Sequence, residues 1–245
     1  SDANKTVSFG PFVDYEKKIE VELTKKSSET KKLLDGAVYK IYDEDGEEVV
    51  TLQTGTTSEG KAACELPFGK YTIKEVTPPD GYNADDTEKE SFELNLTTVT
   101  YDKEGNGSYQ IEKTDTPIYG EISLSKTGEV LTGYDPEMES FVYETDTVSG
   151  AVYGLYARED IKKDDGTVVW TKGTLIDKKT TSKEETLKFT RKGADGKETT
   201  SFYLGSYFVK EIEAPKGYLL NPESYDIDLT WDIKASQLNE IKGEK

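Results

Sequence analysis

Apolar and polar residues alternate in short runs along most of the chain. Segments such as KIEVELTK, GKYTIKEV and GSYQIEK are rich in Val, Ile, Thr and Tyr, and Gly, Pro and Asp separate them. A period of two places successive side chains on opposite faces of a β-strand. The pattern therefore predicts an all-β protein with a sandwich architecture.

Three Asp-Gly pairs, at 45–46, 165–166 and 195–196, lie between strand-like runs. This dipeptide suits the tight turns of β-hairpins, so we expect a hairpin at each position. The run DEDGEE at 43–48 could suggest calcium, but it lacks the spaced ligands of a calcium loop. We interpret it as a turn, and the sequence predicts no metal site and no cofactor.

Two stretches repeat one pattern, YTIKEVTPPDGY at 71–82 and YFVKEIEAPKGY at 207–218, and they align without a gap. Upstream, GAVY at 36–39 matches GAVY at 150–153. A repeat of this length indicates two copies of one module. We predict an N-terminal segment at 1–18, a first domain at 19–117 and a second domain at 118–245.

The second copy is longer than the first between Lys126 and Gly150, and again between Gly150 and Gly205. We expect both insertions to form loops. The opening Ser-Asp-Ala resembles a cloning remnant, and the start of the chain lacks the features of a signal peptide. The chain is therefore expected to be a piece of a longer protein.

Composition excludes several classes of function. The 245 residues carry a formal charge of −18 and include no histidine. So acidic a surface repels nucleic acid and anionic membranes, and no apolar run is long enough to span a bilayer. Without histidine, and with Cys64 as the only cysteine, the chain has no Ser-His or Cys-His catalyst, no His/Cys zinc site and no internal disulfide. Cys64 alternates with apolar residues and is expected in the core.

Strand parity gives four charged residues an unusual setting. Lys25 and Lys126 each end an apolar stripe on a first strand, and Glu75 and Glu211 each end one on the repeated YxxKE strand. Charges at strand ends commonly reach solvent. Because both copies repeat these positions, we favour burial, which requires charge partners or neutralisation. The neighbouring lysines of the repeated strand, Lys74 and Lys210, point outward by the same parity.

The order of these motifs, L-x-K, GA-x-Y-x-x-Y and G-x-Y-x-x-K-E-x-x-x-P-x-G-Y, occurs twice over residues 19–245. It resembles the Cna protein B-type (CnaB) domains of Gram-positive surface adhesins and the SpaA-type pilins. The resemblance implies two tandem prealbumin-like, Ig-related β-sandwiches. It also implies an isopeptide bond between a first-strand lysine and a last-strand Asp or Asn, assisted by a buried glutamate.

Carried over to this sequence, the resemblance assigns the bond-forming lysines to Lys25 and Lys126, and the catalytic glutamates to Glu75 and Glu211. The junction pattern in KTDTPIYG favours Asp115 as the partner of Lys25. At the end of the chain, SQLNEIKGEK favours Asn239 as the partner of Lys126, with Asn221 as the alternative.

The implied chemistry needs these residue types. An amine attacks a carbonyl only when neutral, and burial disfavours the ammonium form. A buried glutamate can shuttle protons and polarise the acceptor carbonyl. Each reaction occurs once per molecule, so we do not expect a turnover enzyme.

The leading interpretation is a structural stalk or shaft piece of a Gram-positive surface adhesin or pilin. It would be extracellular, on the cell surface or cell wall, with its sorting signal outside this fragment and neighbouring modules of the same protein as its partners. The alternative is a ligand-binding adhesin that recognises a host protein or glycan through the insertions of the second domain, around 131–144 and Trp170. Exposed aromatic residues there would favour binding, and burial would favour the stalk. A carboxylate hydrolase is the weakest interpretation, because each glutamate belongs to a closed core by pattern.

Overall fold

The computed structural model describes residues 17–84, 89–184 and 186–231, and these residues form β-strands joined by turns. The chain divides into two compact units. Unit 1 contains the chain up to Lys26, Leu33–Pro79 and Ala84–Asp115, and unit 2 contains Ser27–Lys32, Asp80–Asn83 and the chain from Thr116. The domain boundaries given above stay predictions.

The strands of the first copy, in chain order, are β1 (Ile19–Ser27), β2 (Val38–Tyr42), β3 (Glu48–Gln53), β4 (Lys61–Leu66), β5 (Gly69–Thr77), β6 (Tyr82–Ala84), β7 (Glu90–Leu94), β8 (Thr100–Tyr101) and β9 (Gly107–Pro117). They form two sheets, one in the order β4-β1-β9-β6 with β8 paired to β9, and one in the order β3-β2-β5-β7. The core of this sandwich is made of inward-facing Val, Leu, Ile, Tyr and Phe side chains from both sheets.

The strands of the second copy are β10 (Ser123–Leu124), β11 (Thr127–Asp135), β12 (Ser140–Thr147), β13 (Val152–Ala157), β14 (Ile161–Lys162), β15 (Val168–Trp170), β16 (Leu175–Thr180), β17 (Leu187–Lys188), β18 (Arg191–Lys192), β19 (Glu198–Thr199), β20 (Gly205–Glu213) and β21 (Ser224–Leu229). One four-stranded sheet runs β16-β13-β20-β21. Its order matches β3-β2-β5-β7 strand for strand, so both copies share the sheet that carries the repeated glutamate. A separate apolar core lies against it.

The predicted Asp-Gly hairpins are confirmed. They join β2 to β3, β14 to β15 and β18 to β19. In each turn the glycine has a positive φ, 82° at Gly46, 86° at Gly166 and 77° at Gly196, a region that side chains with a Cβ rarely adopt. The DEDG turn of the first hairpin is held by Asp43, whose side chain accepts the backbone N–H groups of Asp45 and Glu47.

The insertions of unit 2 have regular structure. The insertion after Lys126 is a two-stranded ribbon of β11 and β12, not an irregular loop. The later insertion contains the hairpins β14–β15 and β18–β19. The extra residues therefore pair with one another instead of lengthening loops. No helix in the described ranges is both long enough and apolar enough to cross a bilayer.

Cys64 packs against the core of unit 1 but is half-buried, on a strand whose inward neighbours Ala62 and Leu66 are buried. Burial raises the pKa of its thiol to about 11. The thiol is therefore un-ionised near neutral pH, which fits a packing role.

Candidate functional site

Lys25, Glu75 and Asp115 meet in the interior of unit 1. Lys25 Nζ lies 2.6 Å from Asp115 Oδ1 and 3.0 Å from Glu75 Oε2. The lysine and aspartate side chains are fully enclosed, and that of Glu75 is 1% exposed. A cation and two carboxylates thus share one site that is closed to water.

Strand alternation produces this meeting. Along β1, the positions from Ile19 to Lys25 alternate between buried and more exposed, so the lysine continues the inward stripe. Along β5, Glu75 continues the stripe of Tyr71 and Ile73. Asp115 is an inward residue of β9, which neighbours β1 in the opposite sheet from β5. The two bond candidates therefore come from adjacent strands, and the glutamate faces them from across the core.

Two further groups hold the lysine. Nζ donates to the hydroxyl of Tyr39 at 2.7 Å and to the backbone carbonyl of Thr114 at 3.2 Å. Tyr39 is opposite Glu75 in the pairing of β2 with β5. These contacts fix the amine beside the Asp115 carboxyl group, at a distance from which one covalent bond could form.

Electrostatics favour a protonated glutamate. The pKa of Glu75 is raised to about 7: burial is the largest cause, Lys25 lowers the pKa, and the charge of Asp115 and a hydrogen bond with it raise it. Glu75 Oε1 is buried and has no hydrogen-bond partner among the described residues. A carboxyl group that is half-protonated near neutral pH can both accept and donate a proton.

Unit 2 repeats the glutamate side of this site. Tyr153 is opposite Glu211 in the pairing of β13 with β20, as Tyr39 is opposite Glu75. Glu211 is 5% exposed, and its Oε2 accepts the backbone N–H of Asn221 at 2.8 Å. Burial and the nearby charge of Glu211 raise the pKa of Tyr153.

The lysine side of unit 2 differs from expectation. Lys126 was expected to be buried, but it is half-buried and lies two residues beyond the end of β10. No ion pair within residues 17–84, 89–184 and 186–231 joins it to Glu211. Asn239 lies outside the described residues. Asn221, the alternative, uses its side-chain amide to donate to Tyr225.

A threonine network that the sequence reasoning missed supports both copies. Thr54 Oγ1 accepts the N–H of Ala37 at 3.0 Å and donates to the carbonyl of Leu34 at 2.7 Å. Thr181 Oγ1 makes the matching bonds with Ala151, at 3.1 Å, and Val148, at 2.9 Å. The carbonyls of Lys25 and Lys126 accept the N–H groups of Leu34 and Val148. The only sequence signal was a threonine one residue beyond the strand that pairs with GAVY.

Comparison with known families shows which family the chain belongs to. The family model of the SpaA prealbumin-like fold domain matches residues 19–107 and 142–242, which together make up most of the sequence. The chain belongs to this family. The two matched SpaA-type segments include the positions of Lys25, Glu75, Glu211 and Asn239, and they leave Asp115 and Lys126 outside.

Solved structures give a likeness in fold. The Bacillus anthracis TIE protein is 21% identical with a TM-score of 0.56, over 87% of this chain and 32% of its own, so the present chain spans about a third of that protein. BcpA, the major pilin subunit of Bacillus cereus, is 14% identical over 87% of this chain and 96% of its own, with a TM-score of 0.36. The shaft pilin spaA of Lactobacillus rhamnosus GG is 17% identical over 87% and 94%, with a TM-score of 0.34. No curated protein matches the chain.

Proposed function

We propose that Lys25 and Asp115 form an isopeptide bond within unit 1, with Glu75 as the proton shuttle. The observation that carries the proposal is the enclosed contact of 2.6 Å between Lys25 Nζ and Asp115 Oδ1 beside a glutamate whose pKa is raised to about 7. Membership of the SpaA family adds support from an independent source.

The reaction balances within the site. The lysine nitrogen bonds to the carboxyl carbon of Asp115, and one C–O bond of that carboxyl group breaks. Two protons leave the ammonium group and depart with the oxygen as one water. Glu75 starts protonated: it gives its proton to the leaving oxygen and takes one from the nitrogen, so its protonation state is restored. The step needs no cofactor and occurs once, without turnover.

For unit 2 we propose the matching bond between Lys126 and Asn239, with loss of ammonia and with Glu211 as the shuttle. Its support is the shared register of Tyr153 with Glu211 and the shared threonine network. Unlike Lys25, Lys126 is half-buried, and Asn239 lies outside the described residues.

The role that follows is structural. A bond between β1 and β9 joins the first and last strands of unit 1, so tension that enters by one can leave by the other through covalent bonds. Such modules suit the stalk of an adhesin or the shaft of a pilus on the surface of a Gram-positive bacterium, with neighbouring modules as partners. If the bond restricts the unfolded chain as a disulfide does, it adds about 4–5 kcal/mol to the stability of unit 1.

Intact-protein mass measurement tests the proposal. Two bonds predict a mass below the sequence mass by one water and one ammonia. Glu75→Ala should restore the water and Glu211→Ala the ammonia, and Lys25→Met should restore the water too. Lys74→Met, which changes an outward lysine next to Glu75, is the matched control and should keep both deficits. An unmodified mass in the wild-type chain would refute both bonds.

A second candidate function, ligand binding by the insertions of unit 2, is favoured by one observation. Tyr134, Phe141 and Tyr143 on the β11–β12 ribbon are 54%, 63% and 56% exposed. Trp170 does not add to this surface, because it is half-buried and packs against Phe202 and Tyr203. Exposed aromatic residues on an insertion were expected to favour ligand binding, and buried ones a stalk. By this criterion the first insertion favours binding, and the region around Trp170 does not. Titration of the full chain with candidate host proteins and glycans tests it.

A further inference from the structure

The β11–β12 ribbon has one apolar face. Leu131 pairs with Tyr143 and Tyr134 pairs with Phe141, and a bulge between Leu131 and Gly133 keeps both pairs on the same side. The four side chains are 53% to 63% exposed. The rings of Tyr134 and Phe141 stack edge to face at 5.5 Å. These four residues form the ribbon face: Leu131, Tyr134, Phe141 and Tyr143.

Nothing in the described chain covers this face. Neither β11 nor β12 pairs with a third strand there, so each also has an open edge of backbone N–H and C=O groups. The base of the ribbon is fixed, since the hydroxyl of Tyr218 donates to the carbonyl of Glu129 at 2.9 Å. Apolar residues clustered on one face of an anchored ribbon indicate a binding surface, whereas single apolar residues scattered over a surface do not.

Charge restricts what can bind. Residues 127–157 contain six carboxylates and no lysine, arginine or histidine. Glu129 lies on the same side of the ribbon as the apolar residues, since its pairing partner Thr145 follows Tyr143 by two positions. The turn at the far end adds exposed acids, Glu137 and Glu139. The acids are Glu129, Asp135, Glu137, Glu139, Glu144 and Asp146.

Three kinds of occupant fit poorly. A second copy would bring another set of six carboxylates against these six, within a chain of net charge −18. Nucleic acid and anionic lipid are repelled for the same reason. A neutral glycan would bring no positive charge to these six carboxylates. A basic polypeptide can supply apolar contacts, cations and the backbone partners of an open strand edge at once.

We propose that the ribbon face binds an extended segment of another polypeptide in which apolar side chains alternate with lysine or arginine. The inference rests on the second candidate function above and adds the face, the binding mode and the charge of the partner. It is independent of isopeptide formation, because the ribbon contains none of the residues proposed for either bond.

The probe is a fluorescein-labelled 12-residue peptide that alternates lysine with valine and tyrosine, titrated with the full chain and followed by anisotropy. Two matched peptides replace either the apolar residues by serine or the lysines by glutamate. We expect binding of the first peptide alone. Hydrogen exchange of the complex should show new protection within 127–147, and protection only elsewhere would overturn the proposal without any variant.

Paired variants separate this surface from general attraction to an acidic protein. Tyr134→Ser with Phe141→Ser should weaken binding about tenfold or more, whereas Leu96→Ser with Leu219→Ser, which also removes two exposed apolar side chains, should leave it within about twofold.

Charge reversal has a matched pair as well. Glu129→Lys with Glu137→Lys should weaken binding about tenfold, and Glu59→Lys with Glu65→Lys, an equal change in net charge, should have a smaller effect. Equal losses from both pairs would overturn the proposal. Binding of an uncharged oligosaccharide at the ribbon without binding of the peptide would also overturn it and leave the second candidate function standing. If neither the peptide nor the oligosaccharide binds, both this proposal and the second candidate function are refuted.

Discussion

The glutamate halves of the two sites are alike, and the lysine halves are not. In both units a tyrosine is opposite the glutamate across a strand pair with a bulge at the same step, and a threonine closes the same turn. In unit 1 the lysine lies on β1 and is fully buried beside Asp115 of β9. In unit 2 the lysine lies beyond the two-residue strand β10 and is half-buried. One sheet therefore positions the buried glutamate in both units, and burial of the lysine depends on the strands of the opposite sheet.

The largest expected effect separates the two lysines. Lys25→Met leaves Glu75 and Asp115 enclosed without their cation and removes the proposed bond, so unit 1 should lose at least about 4 kcal/mol of unfolding free energy. Lys126→Met should cost unit 2 less, because its side chain is half-buried. Differential scanning calorimetry of both variants measures this. Equal losses would mean that the two amines have equivalent surroundings.

The stability of unit 1 before bond formation should depend on pH. The pKa of Glu75 is raised from an ordinary 4.5 to about 7, so the folded, unreacted unit 1 binds this proton more tightly than the unfolded chain. The resulting stabilisation is complete below pH 4.5 and is lost as pH rises through 7.

Bond formation should follow the protonated glutamate. Above pH 7 the protonated fraction falls about tenfold per pH unit, and the rate of water loss when an uncrosslinked chain first folds should fall with it. Mass spectrometry of a chemically synthesised, uncrosslinked chain, transferred from denaturant to folding buffers between pH 5 and pH 9 and quenched at intervals, measures the rate. A rate that rises throughout this range would assign the limiting step to deprotonation of the amine.

The threonine network should have a similar value in both units. Thr54→Val and Thr181→Val each leave a buried backbone N–H and a buried carbonyl without their partner, at a cost of about 1–3 kcal/mol. Thr56→Val, which changes an exposed threonine, is the control and should cost within about 0.5 kcal/mol. Chemical denaturation measures all three. If the costs of Thr54→Val and Thr181→Val differ greatly, the two units share their strand order but not the stabilising role of this threonine.

The smallest effect concerns the tyrosines. Tyr39→Phe removes the hydroxyl that accepts from Lys25, and it should cost about 1 kcal/mol and slow the loss of water. Tyr153→Phe should cost less, since no hydrogen bond from Lys126 reaches Tyr153 within the described residues. The same denaturation and mass measurements apply. Equal effects on rate would imply that Tyr39 acts through packing.

Parity predicted much of the site in unit 1 because burial there follows the period of a strand. Lys25 and Glu75 each continue an apolar stripe, and both are enclosed. Asp115 was identified by the junction pattern, since no repeated strand marked it. The half-burial of Lys126 was not predictable in this way, because parity gives the side of a strand and not whether neighbouring strands close over it.

The structure of the insertions was also not predicted from the sequence. The extra residues after Lys126 were expected to form a loop, and they form a ribbon whose alternating residues remain exposed. Alternation indicates a strand, but it assumes that one face is covered. On the ribbon the same pattern produced a strand pair with an uncovered apolar face.

A covalent bond between Lys25 and Asp115 would also change the topology of the molecule. If the bond forms, the backbone from 25 to 115 becomes a closed ring with two tails, even when every hydrogen bond of unit 1 is broken. A single cut in the backbone within that ring would open it without dividing the molecule into two pieces. The DEDG turn at 43–46 lies within that ring, at the surface, and a cut there would leave the first and last strands of unit 1 joined.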